Sequence, residues 1–305
     1  MRTSSTACAA AMLLALSALE PRAALAACKA SIESIDKVPT IDYAPFENRQ
    51  KREDFEVEVR NDGNEECAVA LAIASGTTGS QRFYRKGSDN LAYEVLTGNG
   101  SEYSNAIDAP AGSTRLKGGK GEDAEIKVRL RIPAGLVSPA GNYEDTLRLR
   151  LFDVSGASPV PLGPERNVPA SARIQARAQL NIAGTAGKFG APFELDEIDF
   201  GDMTTGATRD AVVQVRATSQ VAITLSSRNL GVLKHTSLPG TAGVPYSLTV
   251  DGTPVDLAGS SAPIVRTPDL TLDGNSYPMR VTIGNTTGRA AGNYKDRITI
   301  SVMPQ

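Results

Sequence analysis

The sequence predicts an all-β protein made of two tandem β-sandwiches, the second of them lacking its last strand. Three observations lead there. A hexapeptide pattern occurs twice, as Ala140-Gly141-Asn142-Tyr143-Glu144-Asp145 and as Ala291-Gly292-Asn293-Tyr294-Lys295-Asp296. Each copy opens a run of alternating apolar residues, Leu147, Leu149, Leu151 in one and Ile298, Ile300, Val302 in the other, the period-two signature of a strand with one buried face. The second run stops at Gln305, where a sandwich would normally continue into one more strand.

Further landmarks keep the same order in both halves. Ile41-Asp42-Tyr43 matches Ile198-Asp199-Phe200, Val57-Glu58-Val59-Arg60 matches Val213-Gln214-Val215-Arg216, Tyr93 matches Tyr246, and Ile132 matches Ile283. Two units of about 140 residues each fall at the usual domain size, whereas a single fold twice as long would not explain the echo.

Residues 1–26 read as an export signal: Arg2 supplies the charged start, Ala7 to Leu19 the apolar stretch, and Ala24-Leu25-Ala26 a small-x-small cleavage site. The apolar run is too short to span a bilayer, and nothing later reaches ~18 apolar residues. Residues 28–153 form the first domain, with strands expected over Ala30 to Ile35, Thr40 to Tyr43, Phe55 to Arg60, Cys67 to Ile73, Leu91 to Leu96, Glu125 to Ile132 and Tyr143 to Phe152. Asn61-Asp62-Gly63-Asn64 marks a tight turn between two of them. Seven short strands with this turn spacing predict an immunoglobulin-like sandwich.

The stretch 154–169 is rich in proline and glycine and reads as a stiff interdomain linker. From Ala172 to Ile182 the alternation resumes, as the opening strand of a second domain spanning 170–305; the same edge could instead extend the first domain's sheet. The second domain continues through Asp196 to Phe200, Ala211 to Arg216, Val221 to Ser226, Tyr246 to Val250, Tyr277 to Ile283 and Tyr294 to Met303.

With 32 basic and 34 acidic residues, the net charge of −2 gives no electrostatic reason to expect nucleic acid as a partner. Removal of Cys8 with the signal leaves Cys28 and Cys67, which an oxidising compartment would pair. A rival reading remains, because Leu25-Ala26-Ala27-Cys28 also fits a lipobox that would acylate Cys28. Catalytic parts are scarce. The one histidine, His235, lies in a loop-like stretch without a nucleophile elbow, no metal-ligand spacing is recognisable, and Lys117-Gly118-Gly119-Lys120-Gly121 lacks the pattern of a phosphate loop and reads as a mobile surface loop. The expectation is a non-enzyme with no catalytic residue, no metal site and no cofactor.

A sandwich one strand short leaves a groove open along Tyr294, Ile298, Ile300 and Val302. Four unfilled apolar positions at ~1.5 to 3 kcal/mol each rival the ~5 to 15 kcal/mol that stabilises a domain. Such a domain needs a strand from elsewhere.

The pairing of Cys28 with Cys67, the Ile198-Asp199-Phe200-Gly201 motif, the strands at Tyr93 and Tyr246 and the terminal Gly-Asn-Tyr-x-Asp strand together resemble the spore coat protein U domain, the subunit fold of archaic chaperone-usher pili. The resemblance covers nearly all of the chain after the signal, as two copies. It implies export through the periplasm with a pilus chaperone and an outer-membrane usher as partners, and completion of the groove by a strand from an adjacent pilin. It further implies a tip adhesin that attaches the cell to an abiotic or host surface and supports biofilm formation. Cys28 follows the cleavage site within two residues, leaving no room for an extension that could donate a strand in return. If residues 143 to 152 run toward the linker, the loops 44 to 54, 74 to 90 and 133 to 141 share the far end, and Pro45, Phe46, Phe83, Tyr84, Leu136 and Val137 would form an apolar attachment patch there. The alternatives are a minor structural or adaptor subunit without a receptor, and a lipid-anchored periplasmic binding protein.

Overall fold

The computed structural model describes residues 28–77, 79–119, 121–190, 195–259 and 261–305; the export signal expected over 1–26 lies outside them. Every regular element among the described residues is a strand, apart from one short 3-10 turn at Pro45–Glu47. Two separate apolar cores form, one from residues between Cys28 and Ile174, the other from residues between Ala211 and Ile283.

The first unit comprises β1 (Ala30–Ile35), β2 (Ile41–Tyr43), β3 (Lys51–Asn61), β4 (Cys67–Ala74), β5 (Arg82–Lys86), β6 (Asp89–Thr97), β7 (Ala111–Leu116), β8 (Glu122–Ile132), β9 (Gly141–Asp153) and β10 (Val160–Ile174). One layer runs β1-β3-β8-β6, and the facing layer runs β7-β4-β9-β10-β2. Strand β5 pairs with β6 and touches β9 at Arg85 and Glu144, so the layers are continuous along that edge. Alternation does what the pattern requires: Val57, Val59, Leu147 and Leu149 are fully buried while their neighbours are half-buried or exposed. Cys28 and Cys67 are joined by a disulfide, which ties the start of the described chain to β4.

The second unit comprises β11 (Ala178–Ala183), β12 (Thr208–Ala217), β13 (Val221–Ser227), β14 (Val232–His235), β15 (Val244–Val250), β16 (Thr253–Val255), β17 (Ile264–Arg266), β18 (Asn275–Ile283), β19 (Tyr294–Lys295) and β20 (Ile298–Pro304). Its layers run β11-β12-β18-β15-β14-β19 and β17-β13-β20. The pairings repeat those of the first unit: β11 on β12 as β1 on β3, β12 on β18 as β3 on β8, and β13 on β20 as β4 on β9.

Two stretches depart from expectation, 160–182 and 196–200. Residues 160–169 are not linker: they continue into β10, which pairs antiparallel with β9 from Val160 opposite Asp153 to Ile174 opposite Gly141. The single strand read over Ala172 to Ile182 is broken between β10 and β11, where Thr218 holds the bend by accepting from the Arg177 backbone N–H and donating to the Gln175 carbonyl. The second stretch, Asp196 to Phe200, forms no strand.

Candidate functional site

The two halves differ at one place, and there the site lies. In the first sandwich β9 is flanked on both sides, by β4 and by β10, and β10 in turn carries β2 in parallel through Ala172–Ile41, Arg173–Asp42 and Ile174–Tyr43. In the second, β20 pairs with β13 on one side and ends its sheet on the other. Ile198-Asp199-Phe200, the counterpart of β2, pairs with no strand among the described residues.

Burial follows the pairing. Ile41 and Tyr43 are 0 % and 3 % exposed, whereas Ile198 and Phe200 are half-buried. Tyr143, Leu147, Leu149 and Leu151 are all fully buried, whereas Tyr294, Ile298, Ile300 and Val302 are half-buried. The same residue types in the same repeat thus lose their cover where one strand is absent. The continuous β9 also becomes two pieces, β19 and β20, interrupted at Asp296-Arg297.

The uncovered space is a groove of ≈ 780 Å³. Its floor and walls include Leu180 and Ile182 of β11, Ile198, Phe200 and Met203, Met279 and Val281 of β18, and Tyr294, Ile298 and Ile300. One rim is the backbone edge of β20 that no strand among the described residues pairs with, an edge of the kind that presents donors and acceptors in a row. An apolar trough beside an open strand edge can bind one thing well: an extended peptide that adds backbone hydrogen bonds and alternate side chains together.

The repeated hexapeptide builds the corner at the mouth of this groove. Tyr294 donates to the Ala290 carbonyl at 2.8 Å, and Tyr143 to the Pro139 carbonyl at 2.7 Å. Asp296 accepts from Tyr246, from Ser227 and from the Asn229 backbone. Gly292 has a φ of 143° and lies against the His235 ring, so a Cβ there would overlap it. His235 is therefore not a free loop residue. It ends β14, packs edge-on to Tyr294, donates from Nε2 to the Ala291 carbonyl and accepts at Nδ1 from Ser237 and Leu238. The Gly118-Gly119 loop is likewise docked, through Gly119 N–H on the Gly63 carbonyl. Among the described residues no group of three or more histidine, cysteine or acidic side chains could hold a metal.

The apolar attachment patch is not assembled. Strand β9 runs away from the second unit, because the chain turns at 154–159 and returns as β10 before crossing over. The loops expected at the far end therefore sit at the junction. Phe46 lies beneath the Arg216 guanidinium, the Ala140 N–H donates to the Thr218 carbonyl, and Arg177 pairs with Glu47. Pro45 and Tyr84 are buried, Phe83 is half-buried within β5, and Leu136 and Val137 are half-buried, with the Leu136 N–H donating to the Tyr43 hydroxyl. The end facing away carries the turns 62–66 and 154–159 instead, which are largely exposed and contain Gly63 and Gly156.

A pair of immunoglobulin-like sandwiches, one closed by its own strand and one left open along a strand-length groove, is the class of protein that this geometry defines. The family model of the Spore Coat Protein U domain matches residues 15–150, which take in β1 to β8 and most of β9. No curated protein matches the sequence. Among solved structures, the chain is similar to the chaperone-bound tip adhesion subunit CsuE of Acinetobacter baumannii, with 12% identity, 90% of this chain and 99% of that chain covered, and a TM-score of 0.47. It is similar to the CupB6 tip adhesin of Pseudomonas aeruginosa at 11% identity, covering 90% of this chain and 95% of that one with a TM-score of 0.40. The CooA pilin subunit of enterotoxigenic Escherichia coli is similar over 48% of this chain and 98% of its own, at 11% identity and a TM-score of 0.33.

Proposed function

We propose that this protein is a subunit of a chaperone-usher pilus, exported through the periplasm, in which the second sandwich is completed by a strand from an adjacent subunit. The observation that carries this is the groove: Ile198, Phe200, Tyr294, Ile298 and Ile300 line an open trough in one copy of a fold whose other copy is closed by β10 at the same place. A periplasmic chaperone would shield the trough before assembly and an outer-membrane usher would exchange it for the neighbour's strand.

We further place the subunit at the fibre tip, as an adhesin that attaches the cell to an abiotic or host surface in biofilm formation. Supporting this, β1 is engaged with β3, Cys28 with Cys67, and β10 with β9, so these strands accept no role in a neighbour. Contact with the surface would fall to the exposed end of the first sandwich, at the turns 62–66 and 154–159.

Gold labelling of this chain on sheared pili tests the placement. Label at one end of each fibre is the expected result, while label along the shaft or none on fibres overturns it. Cells that assemble pili carrying only the second sandwich should lose surface attachment; unchanged attachment would leave an adaptor without a receptor.

A further inference from the structure

The first sandwich contains a worked example of the strand that the second one lacks, and the two settings correspond residue by residue. Val168, Ala170, Ala172 and Ile174 of β10 face the core and are at most 8 % exposed. They stand opposite Leu147, Asp145, Tyr143 and Gly141 of β9. The repeat puts Ile298, Asp296, Tyr294 and Gly292 in those places, with Ile198 and Phe200 where Ile41 and Tyr43 flank β10 on its other side.

The walls are almost unchanged in volume. Leu147 becomes Ile298, Tyr43 becomes Phe200, and the corner tyrosine, aspartate and glycine are identical. Gly141 and Gly292 share the same backbone shape, with φ of 145° and 143°. Each aspartate is turned inward onto a tyrosine hydroxyl at 2.6 Å, Asp145 onto Tyr93 and Asp296 onto Tyr246. That half-buried polar pair and the corner ring occupy the middle of the cleft, where β10 places alanine opposite both and larger residues on either side. On the outer face Arg173 donates twice to Asp42, at 2.7 and 3.1 Å, and Asp199 occupies the matching position.

Resting on the reading that the groove takes a strand, we propose that its occupant is a strand of another subunit with the β10 size pattern. It carries small residues opposite Asp296 and Tyr294 and branched apolar residues opposite Ile298 and Gly292. It runs antiparallel to β20 and parallel to 198–200, with room for a basic side chain near Asp199. Leucine or phenylalanine at the two central positions would be overpacked against the tyrosine corner and excluded. Specificity for the neighbour thus resides in the middle of the groove and is set by small size, with the ends supplying apolar burial.

The test uses the full-length protein and a synthetic peptide with the sequence of residues 160–174. At peptide concentrations about 100-fold above Kd the lower-melting transition should rise by about 10 °C, and the same peptide with Ala170→Leu and Ala172→Leu should give no shift. Register is read separately: a protein carrying Asn293→Cys should form a disulfide with a peptide carrying Arg173→Cys, and one carrying Lys295→Cys should cross-link to a Ser171→Cys peptide instead. Equal shifts by the native and leucine peptides, or cross-linking in the swapped register, would overturn the pattern. A lysine-capped alternating Val/Thr peptide of the same length separates the two levels. A shift by that peptide but none by the β10 peptide defeats this inference and leaves the open groove standing; no shift by either defeats both.

Discussion

Asp296 accepts a 2.6 Å hydrogen bond from the Tyr246 hydroxyl, and Asp145 accepts one of the same length from Tyr93. This bond gives the aspartate shared by both copies of the hexapeptide the same structural role in each sandwich. The hexapeptide's tyrosine closes the corner on a carbonyl four residues back, its glycine allows the close approach of a neighbouring side chain, and its aspartate pins the next layer through the tyrosine of β6 or β15. Burial and the adjoining carboxylate hold the Tyr93 hydroxyl well above its usual ionisation range, and burial does the same for Tyr246.

Cutting this bond should be costly. Asp296→Ala leaves the Tyr246 hydroxyl and the Asn229 N–H without their acceptor, and a loss of about 1 to 3 kcal/mol is expected for each buried group left unsatisfied. Denaturant melts of the second transition check this; a change under about 0.5 kcal/mol would mean that water replaces the carboxylate.

The first sandwich should unfold in alkali. Burial raises the pKa of Tyr143 to about 12, with Asp89 adding to it, and burial raises Tyr103 to about 12. A raised folded pKa gives stability that is complete below the unfolded value of about 10 and is lost as pH climbs through the folded one. Stability measured by denaturant should therefore fall between about pH 10 and 12, and Tyr103→Phe should flatten part of that slope; a pH-independent profile contradicts it.

Arg216 ties the units together. Its guanidinium is held between Phe46 and Phe189, at 5.0 and 4.3 Å from the ring centres, and donates to Gln179 and to the Leu272 carbonyl. Each ring contact is worth about 0.5 to 2 kcal/mol, so Arg216→Ala should leave both sandwiches folded while proteolysis near Gln175–Arg177 accelerates several-fold. Unchanged cleavage would show that Thr218 alone holds the bend.

Repeat-related residues should differ in energetic weight. Leu147→Ala, at a fully buried site, should cost about 2 to 5 kcal/mol. Ile298→Ala, at the half-buried counterpart, should cost about 1 kcal/mol or less in the free protein and approach the Leu147 value only when a strand occupies the groove. Equal costs in the free protein would argue that the second core is already closed.

Much of this was legible because alternation reports directly on a buried face: Leu147, Leu149 and Leu151 announce β9, and their echo at Ile298, Ile300 and Val302 announces β20. Strand β5 escaped because its inward residues include Arg82, 1 % exposed and bonded to the Ile73 and Ser104 carbonyls, which breaks the apolar pattern. Strand β10 passed for a linker because of Pro161, Pro164 and Pro169, which are tolerated since β2 covers its outer edge only at Ala172–Ile174. Missing β10 inverted the direction assigned to β9, and with it the placement of Phe46 and Leu136. Ile198–Phe200 shows the converse: a sequence fit for a strand remains unpaired when no partner is present.

The central claim, that the second sandwich lacks one strand, is tested most directly by supplying it in cis. Val302 corresponds to Leu151, so a copy of residues 155–174 appended after Gln305 would follow β20 as the native segment follows β9. Calorimetry of the two proteins should show the transition of the second sandwich moved up by 10 °C or more, about what ~3 kcal/mol gives in a domain of this size, with that of the first unchanged. An appended chain that leaves the second transition where it was would mean that the groove is not an unfilled strand site.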